Sequence, residues 1–255
     1  MDYLYFLYGN YSMKILSWNI LADEFIKKRY YPMIPPEILL NRRQREQQIL
    51  LTLTHADMDV MLLQEVMQAE YNALVQAFQK THNFIRGKNI KWQGKFSHSG
   101  NVILLRKTLF QVNEQIGLAF GIPLAFGVGV HCLYKHRPLL ILNLHLDDLS
   151  KEKRLHQWKE LQPYFSANER IIVGGDLNEH REEMSRLYQA IKATGLKTMN
   201  RKPSYYIEKK MCIDNILIKG LALKHSAAQV VNDFGADVPK QFITYGSDHL
   251  PVIVD

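Results

Sequence analysis

Several apolar runs in the sequence end on polar residues of the kinds that bind metals or transfer protons. The stretch IIVGGDLNEH shows the pattern, because three branched apolar residues and two glycines lead to Asp176 and Asn178. Comparable positions along the chain are Asn19, Gln64, Glu65, His145, Asp214, Asp248 and His249. One polar residue at a strand end usually marks only the point where a strand meets water. A set this rich in carboxylate, amide and imidazole groups, and this poor in lysine, predicts a chemical site.

The donor types in this set favour a hard divalent cation. Magnesium typically takes one or two carboxylates, and water and substrate phosphate complete its coordination. Zinc sites usually contain more histidine and cysteine, and the sequence has neither a CxxC nor a HExxH pattern. We therefore expect Mg2+, with Mn2+ as the alternative. Two histidines beside carboxylates also permit general acid and base chemistry on a phosphoester.

The elements that must position these residues alternate between strands and helices. Short apolar runs predict strands over residues 14–21, 59–66, 100–107, 139–146, 171–176, 213–218 and 249–254. Longer periodic segments predict helices over residues 35–53, 69–80, 150–164 and 182–193. Ser150 is expected to cap the third helix and Gly195 to stop the fourth. Continuous apolar strands are usually covered on both faces, so the pattern predicts a layered α/β protein.

Length and charge favour one domain with an anionic partner. The chain has 255 residues, of which 47% are hydrophobic, and this suffices for one sizeable core. Residues 13–255 are predicted to form a single domain, and residues 1–12 an N-terminal extension. The 32 lysines and arginines outnumber the 25 aspartates and glutamates, which gives a formal net charge of +7. This excess suits a polyanion such as nucleic acid or a phosphorylated lipid surface.

Signals for export or membrane insertion are few. The chain has only two cysteines, Cys132 and Cys212, whereas a secreted disulfide scaffold would normally carry more. No apolar run reaches the roughly 18 residues that a membrane span needs. The aromatic N-terminus lacks the basic and apolar regions of a signal peptide. We expect a monomeric, cytoplasmic protein, and export without a recognisable signal peptide stays open.

An ordered set of motifs gives the sequence a family resemblance. The motifs are SWN (17–19), LLQEV (62–66), GNVILL (100–105), NLHLDD (143–148), GGDLN (174–178), IDNI (213–216) and GSDHLP (246–251). In this order they resemble the endonuclease/exonuclease/phosphatase superfamily, from about Lys14 to the C-terminus. The resemblance implies a DNase I-like four-layer sandwich, in which two mixed β-sheets pack together and helices lie outside. It also places the active site at one end of the sheets.

The same resemblance implies five catalytic residues. Asp176 would activate or orient the attacking water, and Asn178 would hold that water or a phosphate oxygen. His249 would bind the scissile phosphate and stabilise its growing charge, and Asp214 would hold His249 in the required tautomer. His145 would donate a hydrogen bond or a proton near the departing oxygen.

The resemblance also implies a metal site and a neighbouring substrate contact. Glu65 would be the main magnesium ligand, with Asn19 beside it and Asp248 contributing. Asn101 matches a family position next to the site and is expected to contact substrate. At position 215 the family often has His, Tyr or Arg, so Asn215 predicts a difference in what lines the pocket.

The two glycines before Asp176 suggest a close approach of backbone and substrate. Gly174 and Gly175 carry no side chain that would block such an approach. Asp176 and Asn178 can then point into one pocket, since alternate residues of an extended chain share a face. The other interpretation is a tight turn in which Asp176 caps a helix.

The substrate is predicted from weaker signals. The segments NILADEF, YYP, PPEILL, RRQREQQIL and DVMLLQEV (residues 19–66) resemble nocturnin-like deadenylases and 2′-phosphodiesterases. The stretches NLHLDDLSKEKRLHQ and KPSYY look more like the general magnesium-dependent branch of the superfamily. The prediction is a metal-dependent phosphodiesterase with a slight preference for RNA 3′ ends over DNA. An inositol or phospholipid phosphoesterase and a non-catalytic phosphate-binding module are the alternatives.

Some aromatic and basic residues carry further expectations. Trp92 lies among lysines, so it would stack on a base in a substrate loop or belong to an ordinary basic surface loop. Tyr205 would line the site or pack on the core. Three arginines are expected to form a solvated helix face: Arg42, Arg43 and Arg45.

Overall fold

The computed structural model has two six-stranded β-sheets packed together, with helices on their outer faces. It describes residues 12–87, 91–92, 95–96, 99–118, 126–182, 184–207, 210–224, 228–230 and 237–255. The strands are β1 (Ile15–Asn19), β2 (Val60–Met67), β3 (His82–Arg86), β4 (Lys91–Trp92), β5 (Lys95–Phe96), β6 (Ser99–Arg106), β7 (Phe110–Leu118), β8 (Phe126–Tyr134), β9 (Arg137–His145), β10 (Ile171–Asp176), β11 (Lys197–Thr198), β12 (Asp214–Lys219), β13 (Gln229–Val230) and β14 (Val252–Val254). The helices are α1 (Pro36–Leu39), α2 (Arg42–Ala56), α3 (Gln68–Phe78), α4 (Lys151–Glu160), α5 (Gln162–Ala167), α6 (Arg186–Ala193) and α7 (Val238–Tyr245).

Both sheets are mixed, and each contains one parallel pair at its centre. The first sheet has the order β13-β14-β1-β2-β6-β3, in which β1 and β2 are parallel. The second has the order β11-β12-β10-β9-β8-β7, in which β9 and β10 are parallel. Strands β4 and β5 have two residues each, pair antiparallel and form a separate two-stranded sheet. The four-layer α/β sandwich predicted from the sequence is confirmed.

Two hydrophobic layers hold the sandwich together. Between the sheets, Leu62 of the first sheet belongs to one buried cluster with Ile172 of the second. On the outer face of the second sheet, Val173 belongs to another cluster with Trp158 of α4. Ile172 and Val173 are adjacent in β10 and point to opposite faces, as strand geometry requires. Both faces are covered, which explains why the strand is an uninterrupted apolar run.

The prediction of one long helix over residues 35–53 is wrong in one respect, because this segment forms two helices, α1 and α2. The Asn41 side chain accepts a hydrogen bond from the Gln44 backbone N–H and caps α2, so the chain turns between α1 and α2. The helix predicted over residues 150–164 is likewise split into α4 and α5. Pro163 lies in the first turn of α5 and lacks the N–H that a continuous helix would need.

Helix capping was predicted with more success. Ser150 accepts a hydrogen bond from the Lys153 N–H at 3.3 Å and caps α4, as expected. The helix predicted from residue 182 begins later, at Arg186, because the Ser185 side chain caps it. Gly195 follows its end with a φ of +78°, a conformation that favours glycine.

Seven strands and one helix of the described structure were not predicted: β3, β4, β5, β7, β8, β11, β13 and α7. Strand β7 is an edge strand whose middle residues are mostly exposed, so it shows no apolar run. Strand β8 contains two glycines and a histidine, which interrupt its apolar pattern. Strand β3 and helix α7 are also additions to the predicted set. In the described ranges, every helix is too short or too polar to cross a bilayer.

The predicted N-terminal extension falls almost wholly outside the described residues. Of residues 1–12, only Ser12 is described, and its Oγ accepts a hydrogen bond from the Lys224 N–H at 3.2 Å. The assignment of residues 13–255 to one domain stays a prediction.

Candidate active site

Strand ends of the second sheet bring three of the predicted residues side by side. Asp176 is the last residue of β10, and its register partners are His145 on the parallel strand β9 and Asp214 on the antiparallel strand β12. The three side chains therefore start from neighbouring positions at one end of the sheet. The strand pairing alone thus gathers two carboxylates and an imidazole.

Strand ends of the first sheet face this group from the other side. Asn19 ends β1, and Asp248 and His249 come shortly before β14, which pairs antiparallel with β1. The amide of Asn19 crosses between the sheets, because its Nδ2 donates to Asp176 Oδ2 at 3.1 Å. The same Nδ2 donates to Glu65 Oε1 at 2.7 Å. The site therefore lies at the junction of the two sheets.

A β-bulge aims Glu65 into the site. The pairing of β2 with β6 shifts between Leu63 and Val66, so Gln64 and Glu65 together lie opposite Asn101. Glu65 has a φ of +60°, a left-handed conformation that costs a residue with a side chain about 1–3 kcal/mol and is concentrated at functional sites. Bulges re-aim side chains in this way next to active sites.

The Glu65 carboxylate is held by two donors. Its Oε1 accepts from Asn19, and its Oε2 accepts from the Ala22 backbone N–H at 2.8 Å. The Asn19 Oδ1 accepts from the Leu21 N–H at 3.0 Å, which fixes the orientation of the amide. The nitrogen of Asn19, rather than its oxygen, thus faces the carboxylates in this structure.

A tight turn after β10 fixes Asp176 and Asn178. Asp176 Oδ1 accepts from the Asn178 backbone N–H at 2.9 Å, which leaves Oδ2 toward Asn19. Asn178 has a φ of +51°, and its Nδ2 donates to the Leu146 carbonyl at 3.0 Å. The interpretation of Asp176 as a helix cap is wrong, because the next helix starts ten residues later at Arg186.

The glycines before Asp176 serve packing rather than substrate access. A Cβ on Gly174 would lie 2.2 Å from Leu62 Cδ1 of the other sheet. A Cβ on Gly175, where φ is +150°, would lie 1.9 Å from the Leu144 carbonyl oxygen of β9. Both positions therefore exclude a side chain because neighbouring protein atoms already lie there. The predicted approach of substrate to these glycines is wrong.

Asp214 and His249 form a buried pair. Asp214 Oδ2 accepts from His249 Nδ1 at 2.9 Å, which places the other ring nitrogen, Nε2, toward Asp176. Burial alone would lower the pKa of His249, but the carboxylates of Asp214, Asp248 and Asp176 raise it well above its usual value. The raised pKa favours the doubly protonated ring. Its Nε2 lies 3.8 Å from Asp176 Oδ2, beyond hydrogen-bond distance.

His145 and Asp248 are the remaining members of the predicted set of catalytic and metal-binding residues. His145 Nε2 lies 3.9 Å from Glu65 Oε1 and 3.7 Å from Asp176 Oδ2. Asp248 Oδ2 accepts a hydrogen bond from the Tyr31 hydroxyl at 3.0 Å. Its Oδ1 is buried and accepts no hydrogen bond from the described part of the chain. Tyr31 was missed by sequence reasoning, although it lies in the YYP segment that carried the RNA-enzyme resemblance.

The carboxylates of this site fit a divalent cation. Among the described residues, the cationic groups within salt-bridge distance of Glu65, Asp176 and Asp248 are histidines alone. Burial raises the pKa of Glu65, and the nearby Asp248 adds to the effect. A divalent cation would offset that repulsion and restore the ionised carboxylates.

Among the described residues, one group of three side chains has the spacing of a metal site. Ligand atoms of Asp176, Asp214 and His249 lie within 4.8 Å of one another. Asp214 and His249 already hydrogen-bond to each other, so the carboxylate oxygens of Glu65, Asp176 and Asp248 are the other candidate donors; Asp248 Oδ1 accepts no hydrogen bond from a described residue. These are the hard oxygen ligands that magnesium or manganese binds.

The three predicted substrate contacts have different surroundings. The Tyr205 ring lies 5.0 Å from the His249 ring, so it lines the site. Asn101 is buried, and its Nδ2 donates to the Asn143 carbonyl at 3.1 Å beneath the bulge that carries Glu65. Trp92 lies in the β4–β5 hairpin, and its side chain lies outside the described part of the structure.

The expectation of a solvated arginine face is wrong for Arg45. Its side chain is buried, and its guanidinium donates to the carbonyls of Leu21 and Gly246 and pairs with Asp23. Leu21 follows Asn19 closely, and Gly246 precedes Asp248, so Arg45 joins two loops that carry site residues. Arg43 is exposed, as expected. Helical spacing distinguishes these two arginines, because Arg45 lies four residues before Ile49 and eight before Leu53, on the buried face of α2.

A sequence model of the Endonuclease/Exonuclease/phosphatase family matches residues 16–249. The chain belongs to this family. Every residue of the candidate site lies within the matched span. Comparison of the sequence with curated proteins gives no match.

Solved structures of the endonuclease/exonuclease/phosphatase family share the fold at low sequence identity. A family protein of Bacteroides vulgatus is 16% identical, with a TM-score of 0.72 over 96% of this chain and 98% of that one. ANGEL2, a 2′,3′-cyclic phosphatase, in complex with adenosine-2′,3′-vanadate, is 15% identical, with a TM-score of 0.76 over 96% and 95%. D. rerio TDP2 with a single-strand DNA product is 16% identical, with a TM-score of 0.69 over 96% and 98%.

Proposed function

We propose that the protein is a divalent-metal-dependent phosphodiesterase that cleaves nucleic acid, with RNA 3′ ends preferred over DNA. The observation that carries the proposal is the junction at which Asn19 links Glu65 to Asp176 while Asp214 orients His249. Family membership supports phosphoester hydrolysis. The similarity to ANGEL2 in complex with adenosine-2′,3′-vanadate, at a TM-score of 0.76, favours a ribonucleotide substrate.

Asp176 is proposed to orient and deprotonate the attacking water. Its Oδ1 is anchored by the Asn178 N–H, so Oδ2 is the oxygen that faces the pocket. A carboxylate fixed at one oxygen presents the other in a defined direction, as a general base requires. Asn178 is proposed to hold the water or a phosphate oxygen from the same turn.

His249 is proposed to stabilise the charge that develops on the phosphate. Its Nδ1 is committed to Asp214, and its raised pKa keeps Nε2 protonated. A fixed, charged donor in a buried site stabilises a transition state strongly, and removing one such donor typically costs about 10²–10³ in turnover. His145, on the Glu65 side of Asp176, is proposed to act near the departing oxygen.

The proposed cation, Mg2+ or Mn2+, would be held by Glu65 and Asp248 with Asn19 beside them. When bound, it would neutralise charge on a phosphate oxygen and help to position the phosphate. For Asn19 to contribute an oxygen ligand, its Oδ1 would have to bind the cation while it accepts from Leu21, since this oxygen has two lone pairs.

A cleavage screen tests the proposal. Labelled poly(A) RNA, mixed-sequence RNA, single- and double-stranded DNA, and an inositol polyphosphate are incubated with protein and Mg2+ or Mn2+ in parallel. Shortening of RNA from its 3′ end is the expected result. Phosphate release from the inositol compound alone would instead establish the inositol phosphoesterase alternative. Failure to cleave any substrate would favour the non-catalytic module.

Matched variants separate this site from a contaminating nuclease. Glu65→Gln and His249→Asn should abolish the activity, because each removes one charged group of the junction. His156→Asn changes an exposed histidine on α4 and should leave the activity unchanged. Equal activity in all variants would contradict the proposal.

A further inference from the structure

A second concave surface lies beside the catalytic centre and takes no part in the chemistry proposed above. We call it the α6 groove; it is lined by residues of α6, β11, the segment after β11 and the end of β12. Its volume is about 1580 Å³. This exceeds the about 300–1,000 Å³ that is typical of small-molecule pockets, and the size suits a segment of a polymer.

The lining of the α6 groove is strongly basic. Its cationic lining residues are Arg181, Lys192, Lys197, Arg201 and Lys219, and its acidic lining residue is Glu182. Lys219 is committed to the Phe165 carbonyl at 2.8 Å, and Arg181 donates to the Asn200 carbonyl at 3.2 Å. The other three cations are exposed and form no salt bridge with a described carboxylate. They are therefore available to an anionic ligand.

These three cations come from three different elements. Lys192 lies in α6, Lys197 in β11, and Arg201 in the segment that follows β11. Charge distributed in this way matches a ligand with repeated negative charges rather than one phosphate group. Nucleic acid carries one such charge per nucleotide along each strand.

Asn215 ties the walls of the α6 groove to the catalytic strand. It follows Asp214 in β12, so the two side chains point to opposite faces. Its Oδ1 accepts from the Asn200 N–H at 3.1 Å, and its Nδ2 donates to the Tyr188 hydroxyl of α6 at 3.4 Å. Asn215, the residue that departs from the family pattern, thus helps to hold the walls of the α6 groove in place.

The groove wall also leads directly to the catalytic centre. Arg201 and Pro203 line the groove, and the next residue, Ser204, accepts from the Asp214 N–H at 3.2 Å. Tyr205 then places its ring beside that of His249. A ligand that leaves the catalytic centre along this segment therefore reaches the basic lining within a few residues.

We propose that the α6 groove binds the phosphate backbone of single-stranded nucleic acid that continues from the catalytic centre. The class of ligand rests on the proposed function. A single strand is favoured over a duplex because the proposed substrate is an RNA 3′ end; Met184, which is 83% exposed on the groove lining, adds an apolar surface beside the cations.

A binding measurement tests this without requiring catalysis. The probe is a fluorescein-labelled, mixed-sequence RNA of 20 nucleotides, and its anisotropy is followed in EDTA at several salt concentrations. The test variant is Lys192→Glu/Lys197→Glu/Arg201→Glu. We expect a loss of affinity of at least about tenfold and a salt slope smaller by about 2, since each phosphate contact to a single strand contributes about 0.7.

The matched control reverses three basic residues elsewhere on the surface. Arg43→Glu/Lys80→Glu/Lys107→Glu changes exposed residues of the helical layer and turns beside the first sheet. Both triple variants lower the formal net charge from +7 to +1, since each reversal removes two charges. Equal RNA affinity in the two variants, or no RNA binding by the unchanged protein, would overturn the groove proposal.

The two proposals fail separately. If the groove variant loses RNA binding but the unchanged protein cleaves none of the screened substrates, the groove stands and the catalytic proposal falls. If RNA is cleaved and the groove variant keeps both its KM for the 20-nucleotide RNA and its affinity, the groove falls alone. If both proposals hold, the groove variant should lose affinity for the 20-nucleotide RNA while it hydrolyses a dinucleotide at an unchanged rate.

Discussion

His249 donates a hydrogen bond of 2.9 Å to Asp214 across the junction between the two sheets, although 35 residues separate them. Replacing Asp214 with Asn removes the negative charge that orients and charges the imidazole. We expect turnover of the preferred substrate to fall by about 10²–10⁴, with KM much less affected. Steady-state kinetics measure the change, and circular dichroism checks that the variant is folded. Normal turnover in a folded variant would rule out the proposed positioning role.

Glu65 should decide whether the protein binds a divalent cation. Binding to the folded state alone stabilises a protein by about 2.7 kcal/mol when the cation concentration is 100 times its Kd. We therefore expect MgCl2 or MnCl2 to raise the melting temperature of the unchanged protein and not that of Glu65→Gln. Glu114→Gln alters an exposed carboxylate on β7 and should retain the effect. An equal response of both variants would place the cation elsewhere.

Arg45 should be far more important for stability than Arg43. Arg45→Met leaves Asp23 and the carbonyls of Leu21 and Gly246 without their buried partner. Asp23 is partly exposed and still pairs with Arg42, so the loss comes mainly from the buried carbonyls, which cost about 1–3 kcal/mol in the free energy of unfolding when they lack a donor. Arg43→Met changes an exposed residue two positions before Arg45, and its free energy of unfolding should stay within about 0.5 kcal/mol of that of the unchanged protein. Urea unfolding compares them, and similar midpoints would contradict the structural role of Arg45.

His82 should make the stability sensitive to acid. Its ring is buried, with Nε2 bonded to the Met58 carbonyl at 3.0 Å and Nδ1 to the Thr81 hydroxyl at 2.8 Å. Burial, aided by Arg106, lowers the pKa of His82 below 6.5 despite the Met58 hydrogen bond. The folded state thus favours the neutral ring, whose contribution is complete above pH 6.5 and is lost as the pH falls through the lowered pKa.

Urea unfolding between about pH 7.5 and pH 5 measures that loss, and His82→Gln should reduce it. His136→Gln provides a control, because His136 lies exposed in the turn between β8 and β9. A pH dependence that is unchanged in His82→Gln would assign the acid sensitivity to other groups.

The composition of the site was predictable because its residues mark strand ends. Asp176, His145 and Asp214 each end or begin an apolar run, and the period of a strand suffices to place such residues at an edge. Their order along the chain then matched a family pattern. Two helix breaks also have local signals in the sequence, the capping residue Asn41 and the proline at position 163.

Other features depend on contacts that no local pattern contains. The bulge at Glu65 arises from the pairing of β2 with β6, and LLQEV looks like any buried strand. The Gly246 carbonyl that accepts a hydrogen bond from Arg45 lies 201 residues away in the sequence. The two glycines before Asp176 indicate in the sequence that no side chain fits at these positions. Only the packed sheets show that the obstructing atoms belong to Leu62 and Leu144.

The place of β14 has a consequence for protein synthesis. This strand pairs with β1, and it follows directly after Asp248 and His249. During translation β1 therefore lacks this pairing partner until residues 252–254 have been synthesised. Until β14 has emerged and docked, Asp214 has no His249 to orient. A nascent chain that has not yet exposed residues 248–254 therefore lacks the Asp214–His249 hydrogen bond.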